Sequence, residues 1–87
     1  MNNQKEREQT MNASEVKLGE YANAENTTYE NVMQFLKDVE RATLPEIVGA
    51  TGGAWATCHG AVHLMIEDGR VVIDGAAKPW EYVWRGK

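Results

Sequence analysis

The chain carries the same helix-start signal twice, and this repetition constrains the fold more than any other feature. Thr27 is followed three positions later by Glu30, and Thr43 is followed in the same way by Glu46. In such a capping box the threonine hydroxyl accepts a hydrogen bond from the glutamate amide, and the glutamate carboxylate accepts one from the threonine amide. Pro45 occupies the first turn of the second helix, where its missing N–H costs nothing. Two helices are therefore predicted to begin at these threonines.

The residues after Thr27 predict an amphipathic helix of about four turns. Apolar residues recur at spacings of three, four and seven, which places them on one face: Val32, Phe35, Leu36 and Val39. Polar residues fall mostly on the other face: Gln34, Lys37, Asp38 and Arg41. This first helix is expected to bury its apolar face against the rest of the domain.

A short second helix and a longer third helix are predicted to follow, separated by glycine. Leu44, Ile47 and Val48 form the apolar face of the second helix, and Gly52 ends it, because glycine accepts a left-handed backbone without steric cost. The third helix is predicted from about residue 54 to residue 68. Its inward stripe recurs at helical spacing: Cys58, Ala61, Val62 and Met65.

A two-stranded hairpin is predicted after the third helix. Residues 71–73 are a β-branched run, residues 74–79 are rich in turn formers, and residues 80–84 alternate aromatic and other side chains. The alternation places Trp80, Tyr82 and Trp84 on one face. Two interpretations are open: an exposed platform on which single-stranded bases stack, or, as we favour, at least two aromatic rings that cover the helices.

These elements predict a single α+β domain that is mostly α-helical, because 87 residues support one core. Residues 27–87 form that domain in this prediction. Residues 1–26 are rich in polar side chains and cannot offset their own ordering entropy. We expect residues 1–12 to be disordered, and residues 13–25 to form a weak helix or an arm docked on the core.

The order of helix, glycine turn, helix and hairpin resembles the winged helix-turn-helix domains of bacterial and phage regulators. These domains commonly open with Thr-x-x-Glu-Ile, place Thr-Gly at the turn, and continue with apolar residues, a glycine and a valine at fixed steps. The residues that carry the resemblance are Thr43, Glu46, Ile47, Thr51, Gly52, Thr57, Val62, Met65, Gly69, Val71, Lys78 and Pro79. It covers about residues 28–84 and implies three helices with a two-stranded wing.

The resemblance also implies a DNA-binding transcriptional regulator that acts as a homodimer, with the third helix in the major groove. The helix residues implied to face DNA are Trp55, Ala56, Thr57, His59, Gly60 and His63. Thr57 would contact phosphate, and His59 and His63 would read base edges or phosphates. Arg70 and Lys78 would serve the wing.

The charge of the chain departs from what such regulators show. The net charge is −4, which is the wrong sign for a protein that holds phosphates through its overall field. No Arg, Lys, Asn or Gln, the residues that form bidentate contacts with bases, lies between Gly52 and Asp68. DNA binding would then be weak or would depend strongly on salt. The alternative is a module that binds a protein through Trp55 and the third helix.

Other classes of protein receive little support from the sequence. Cys58 is the only cysteine, so a disulfide framework is excluded. Cys58 belongs to the buried stripe while His59 and His63 point elsewhere, so neither a structural zinc site nor a cysteine nucleophile is predicted. No phosphate loop or paired carboxylates indicate an enzyme or a cofactor. No apolar run indicates a membrane span or a secretory signal, and a cytoplasmic location is expected.

Overall fold

The computed structural model describes residues 11–86, and the prediction for residues 1–10 lies outside them. A turn of 3-10 helix, Ala13–Glu15, opens the described part of the chain. Three α-helices follow, with one short strand between the first two and two strands at the end. The elements are α1 Thr28–Val39, β1 Arg41–Ala42, α2 Leu44–Thr51, α3 Trp55–Glu67, β2 Val71–Asp74 and β3 Glu81–Trp84.

The predicted starts of α1 and α2 are confirmed in atomic detail. The Thr27 hydroxyl accepts from the Glu30 amide at 3.1 Å while the Glu30 carboxylate accepts from the Thr27 amide at 2.9 Å. The same reciprocal pair joins Thr43 and Glu46 at the start of α2. Helix α1 ends at Val39, earlier than predicted, because Glu40 adopts a left-handed conformation with φ +69°.

The sheet has three antiparallel strands, so the prediction of a two-stranded hairpin is wrong in this respect. The additional strand β1 pairs with β3, which also pairs with β2, and the order across the sheet is β1-β3-β2. Arg41 lies in β1 opposite Val83, rather than on the polar face of α1 where the periodicity placed it. A strand of two residues has too few positions to show an alternating pattern.

One hydrophobic core lies between the three helices and the inner face of the sheet. The predicted inward residues of α1 and α3 are all buried, and Val71 and Tyr82 close the core from the sheet. Of the three aromatic residues near β3, Tyr82 is buried, Trp84 packs against the core, and Trp80 is exposed outside the strand. The interpretation that two rings cover the helices is therefore confirmed, and the shared stacking platform is excluded.

The outer face of the sheet carries a charge cluster around Arg41. Asp74 and Glu81 lie directly opposite each other on β2 and β3, a placement that would set two carboxylates in repulsion. The guanidinium of Arg41 reaches both, donating to Glu81 Oε1 at 2.6 Å and to Asp74 Oδ2. The hydrogen bond from Arg41 is the main reason that the pKa of Asp74 lies below its usual value of 3.8.

Residues 11–26 lie along α1 and α2. The amides of Gly19 and Tyr21 donate to the carbonyls of Gly49 and Ala50 at 2.7 and 2.8 Å. The ring of Tyr21 packs edge-on against Phe35 with centroids 5.4 Å apart, and its hydroxyl donates to Asp38. Burial of the ring and this bond raise the pKa of Tyr21. The segment has a single 3-10 turn instead of a longer helix.

Candidate nucleic-acid interface

The turn between α2 and α3 depends on two glycines for different reasons. Gly52 has φ +69°, and its amide donates to the carbonyl of Val48 at 2.8 Å, which ends α2. At Gly53 a Cβ atom would lie 2.9 Å from the Cys58 sulfur and 3.1 Å from the Thr28 methyl group. The close approach of the backbone to these side chains fixes where α3 begins relative to α1 and α2.

Helix α3 presents all six residues that were predicted to face DNA on its exposed surface. They are Trp55, Ala56, Thr57, His59, Gly60 and His63. Trp55 is 55% exposed, so it is not folded back into the core. The first charged residue of the helix is Glu67, in the last position. The exposed face is therefore electrically neutral when the two histidines are uncharged, although the chain as a whole is acidic.

The start of α3 differs from the starts of α1 and α2. Its N-cap residue is Ala54, which has the extended backbone of an N-cap but no side chain able to accept a hydrogen bond. Within residues 11–86 no side chain bonds to the first-turn amides of Trp55, Ala56 or Thr57. Unsatisfied amides at a helix N-terminus, together with the helix dipole, form a favourable environment for an anion such as phosphate.

His59 and His63 lie side by side on α3. They are one helical turn apart, and their ring centroids are separated by 4.3 Å with an angle of 48° between the planes. Both side chains are exposed. Each neutral imidazole offers one donor and one acceptor, so the pair can contact base edges or phosphate oxygens.

The two basic residues assigned to the wing have different environments. Lys78 is exposed in the loop that joins β2 and β3, and its ammonium group has no ion-pair partner in the described part of the chain. Arg70 is half-buried immediately before β2. Its guanidinium lies 3.7 Å from the Met33 sulfur and 4.0 Å from an Asp68 carboxylate oxygen. Of the two, Lys78 is the better placed to contact a ligand.

The sequence analysis missed an apolar groove beside the neutral face of α3. The groove has a volume of about 590 Å³ and lies between α3 and the start of α1. The residues that line it are Thr27, Thr28, Tyr29, Thr57, Gly60, Ala61 and Leu64. Leu64 is 54% exposed at its edge. The α3 residues of the groove recur in the sequence at helical spacing. Periodicity alone does not show whether such a row of residues is covered by another part of the fold.

The side chain of Cys58 is buried in the core, whereas His59 and His63 are exposed. It is fully buried, and its sulfur is 3.4 Å from the Thr51 hydroxyl. Among residues 11–86 no three His, Cys, Asp or Glu side chains are grouped so that they could hold a metal ion. None of the helices in this range is long and apolar enough to cross a membrane.

Comparison of the chain with models of protein families, with curated proteins and with solved structures found no match.

Proposed function

We propose that this protein is a small DNA-binding transcriptional regulator of bacterial or phage type. In this proposal the domain is a winged helix-turn-helix that works in the cytoplasm. Helix α3 enters the major groove of duplex DNA, and the loop between β2 and β3 contacts the neighbouring backbone. The contacting residues are Trp55, Thr57, His59, His63 and Lys78, with Arg70 at the base of the wing.

The order of elements supports the winged-helix part of the proposal. Helix, strand, helix, helix and hairpin follow one another, and the strand between α1 and α2 joins the edge of the hairpin in the order β1-β3-β2. Gly52, in the left-handed conformation, ends α2 before α3 begins at Trp55. This arrangement leaves one face of α3 free, as the second helix of a helix-turn-helix requires.

The observation that carries the proposal is the neutral, exposed face of α3 behind an uncapped N-terminus. An acidic protein can approach DNA only through a surface without carboxylates, and α3 has none before Glu67. The free first-turn amides and the Thr57 hydroxyl provide hydrogen-bond donors for phosphate. Trp55 adds an apolar surface beside them.

The charge balance determines how such binding must behave. Few cations are available to replace the counterions of DNA, so the affinity should be low at physiological salt and should rise as the salt concentration is lowered. A second copy of the chain would double the number of phosphate contacts. We therefore expect binding to be measurable mainly at low salt.

A salt titration with matched variants tests the proposal. Fluorescence anisotropy would be measured on random and genomic duplexes for the wild-type chain, Lys78→Ala and His59→Ala. Lys78→Ala should weaken binding to all sequences by a similar factor and reduce the salt slope, because it removes a phosphate contact. His59→Ala should change the preference among sequences. Lys37→Ala, which removes an exposed cation from α1, is the control and should change little.

Two outcomes of this titration would contradict the proposal. One is an absence of binding to any duplex at low salt. The other is an equal loss for Lys78→Ala and Lys37→Ala, which would mean that binding follows net charge and not the wing. Equal losses for His59→Ala on every sequence would remove only its role in reading bases.

A second candidate function, protein binding through α3, is favoured by the apolar groove. The surface of the groove is mostly apolar, and Leu64 is exposed at the edge of the groove. Exposed apolar surface next to an aromatic residue is typical of protein interfaces. The acidic charge of the chain is no obstacle to a protein partner.

A pull-down from the native host with and without nuclease distinguishes the two functions. A protein partner should survive nuclease and be lost in Leu64→Glu, which places a charge at the groove. Leu18→Glu adds the same charge at a residue that is 87% exposed outside the groove, and it should retain the partner. Loss of all captured material on nuclease treatment would favour DNA as the ligand.

A further inference from the structure

The two histidines of the chain, His59 and His63, share one face of α3. Residues four apart on an α-helix are neighbours on its surface. Both side chains are exposed, and their ring centroids are 4.3 Å apart. In the described part of the chain neither ring has a hydrogen-bond or ion-pair partner. The nitrogens of both rings are therefore available to a common ligand.

The separation of the two rings suits two ligands of one metal ion. Bonds from zinc to histidine nitrogen are about 2.0–2.1 Å long. Two imidazoles bound to the same ion at an angle of roughly 90–110° have ring centroids about 4.5–5 Å apart. The observed 4.3 Å is close to this range. Helix α3 therefore holds the rings near the distance that shared coordination needs, and small side-chain rotations complete it.

The charges of α3 favour a cation beside the histidines. The helix contains no lysine or arginine, and its one ionised side chain is Glu67, one turn beyond His63. The whole chain has a net charge of −4. A positive ion that approaches the pair is therefore not repelled by its own helix.

We propose that His59 and His63 together bind one divalent transition-metal ion. Imidazole is a ligand for Zn²⁺, Ni²⁺ and Cu²⁺, whereas Mg²⁺ and Ca²⁺ take oxygen ligands. Among residues 11–86 no third His, Cys, Asp or Glu side chain is grouped with the pair, so water completes the coordination. A structural zinc site has four protein ligands. With two, the ion exchanges readily, and we expect a dissociation constant between about 1 µM and 1 mM.

The bound ion would change the charge of the face that we propose for DNA binding, and this consequence rests on that proposed function. The ion adds two positive charges to a neutral face and keeps coordination positions open for a phosphate oxygen. Zn²⁺ should therefore increase the affinity for every duplex by a similar factor, about fivefold or more at low salt.

A titration of Zn²⁺ into the DNA-free protein tests the site. The ring signals of His59 and His63 should shift together in NMR spectra, with one ion bound per chain, and Mg²⁺ should leave them unchanged. His59→Ala and His63→Ala should each weaken Zn²⁺ binding at least about tenfold, because one of the two ligands is lost.

A matched control separates the geometry of the pair from the number of histidines. The double variant His63→Ala/Leu64→His keeps two histidines, but a spacing of five residues places them about 140° apart around the helix. Leu64 is 54% exposed, so the fold should tolerate the change, and circular dichroism would establish this. The control should bind Zn²⁺ as weakly as the single variants. Equal affinity in the control and the wild-type chain would overturn the proposal, as would wild-type affinity weaker than about 1 mM.

Fluorescence anisotropy on duplex DNA at low salt, with Zn²⁺ or with EDTA, tests the consequence for DNA. Zn²⁺ should strengthen binding by the wild-type chain and leave the control unchanged. Zn²⁺ that binds the chain without changing its DNA affinity would overturn this consequence and leave the metal site standing. An absence of DNA binding under both conditions would contradict the proposed function, while the titration without DNA still decides the metal site.

Discussion

Helices α2 and α3 are neighbours in the chain but differ in how their N-termini are capped and in how much of their surface is covered. Helix α2 begins with a complete capping box and a proline, and its residues Leu44, Ile47 and Ala50 are buried. Helix α3 begins at Ala54 without a side-chain cap, opens with an exposed tryptophan, and leaves a neutral face and a groove uncovered.

The difference bears on stability and on the proposed binding of DNA by α3. An N-cap side chain contributes about 1 kcal/mol to stability. Helices α1 and α2 have such an N-cap side chain. Helix α3 lacks one, and the residues of its first turn are exposed. An uncapped, exposed helix N-terminus leaves its amides free for an anion, as the proposed contact with phosphate needs.

Truncation of the α2 core should have the largest effect on stability. Ile47 is fully buried, and Ile47→Ala should lower the free energy of unfolding by about 2–5 kcal/mol, because it leaves a cavity. Leu64→Ala on the exposed side of α3 should cost much less. Urea unfolding of both variants measures the difference. A cost for Leu64→Ala equal to that of Ile47→Ala would mean that the α3 face is covered.

Replacement of glycine by alanine should destabilise the fold at Gly52 and stabilise it at Gly60. Gly52→Ala places a Cβ at φ +69° and should cost about 1–2 kcal/mol. Gly60 lies inside α3 with open space around its Cβ position, so Gly60→Ala should stabilise by about 0.5–1 kcal/mol. Thermal unfolding measures both changes. A destabilised Gly60→Ala would show that this part of α3 is not a regular exposed helix.

The N-cap side chain can be removed from α2 and one can be added to α3. Thr43→Ala should cost about 1 kcal/mol, and Ala54→Ser or Ala54→Asp should gain about the same amount. The two Ala54 variants separate stability from function. If the α3 amides bind phosphate, Ala54→Asp should weaken DNA binding more than Ala54→Ser, because it adds a negative charge to the cap. Unchanged DNA affinity in both variants would remove the N-terminus of α3 from the interface.

The smallest effect on stability is expected at the charge cluster around Arg41 on the outer face of the sheet. Arg41→Met should lower Tm at pH 7 because Asp74 and Glu81 lose their shared partner. The pKa of Asp74 is depressed in the fold, so its contribution is present above the ordinary value of 3.8 and is lost as pH falls below it. The Tm difference from wild type should therefore shrink below about pH 4. A difference that is independent of pH would contradict an electrostatic role for Arg41.

The helices were predictable from sequence because the signals that define them are local. The capping boxes at Thr27 and Thr43 and the left-handed Gly52 involve residues within one turn of each other. The buried stripe of α3 follows from spacing alone. All the residues assigned to its exposed face are exposed.

The features that were missed depend on contacts between distant parts of the chain. Strand β1 has two residues and is defined by its pairing with β3, whose Tyr82 lies opposite Ala42 from forty positions further along the chain. The docking of Tyr21 on Phe35 and the groove beside Leu64 also require the tertiary arrangement. Arg41 has the spacing of a polar helix residue, and only the early end of α1 at Glu40 assigns it to the sheet.

An NMR titration of the ¹⁵N-labelled protein with duplex DNA at low salt tests the central claim most directly. Our account predicts that the largest amide shift changes occur at Trp55, Ala56 and Thr57 and at Lys78 in the wing. The amides of strand β2 and of helix α2 should change little. Shifts confined to the sheet and α1, or no shifts at all, would contradict the assignment of α3 as the DNA-binding helix.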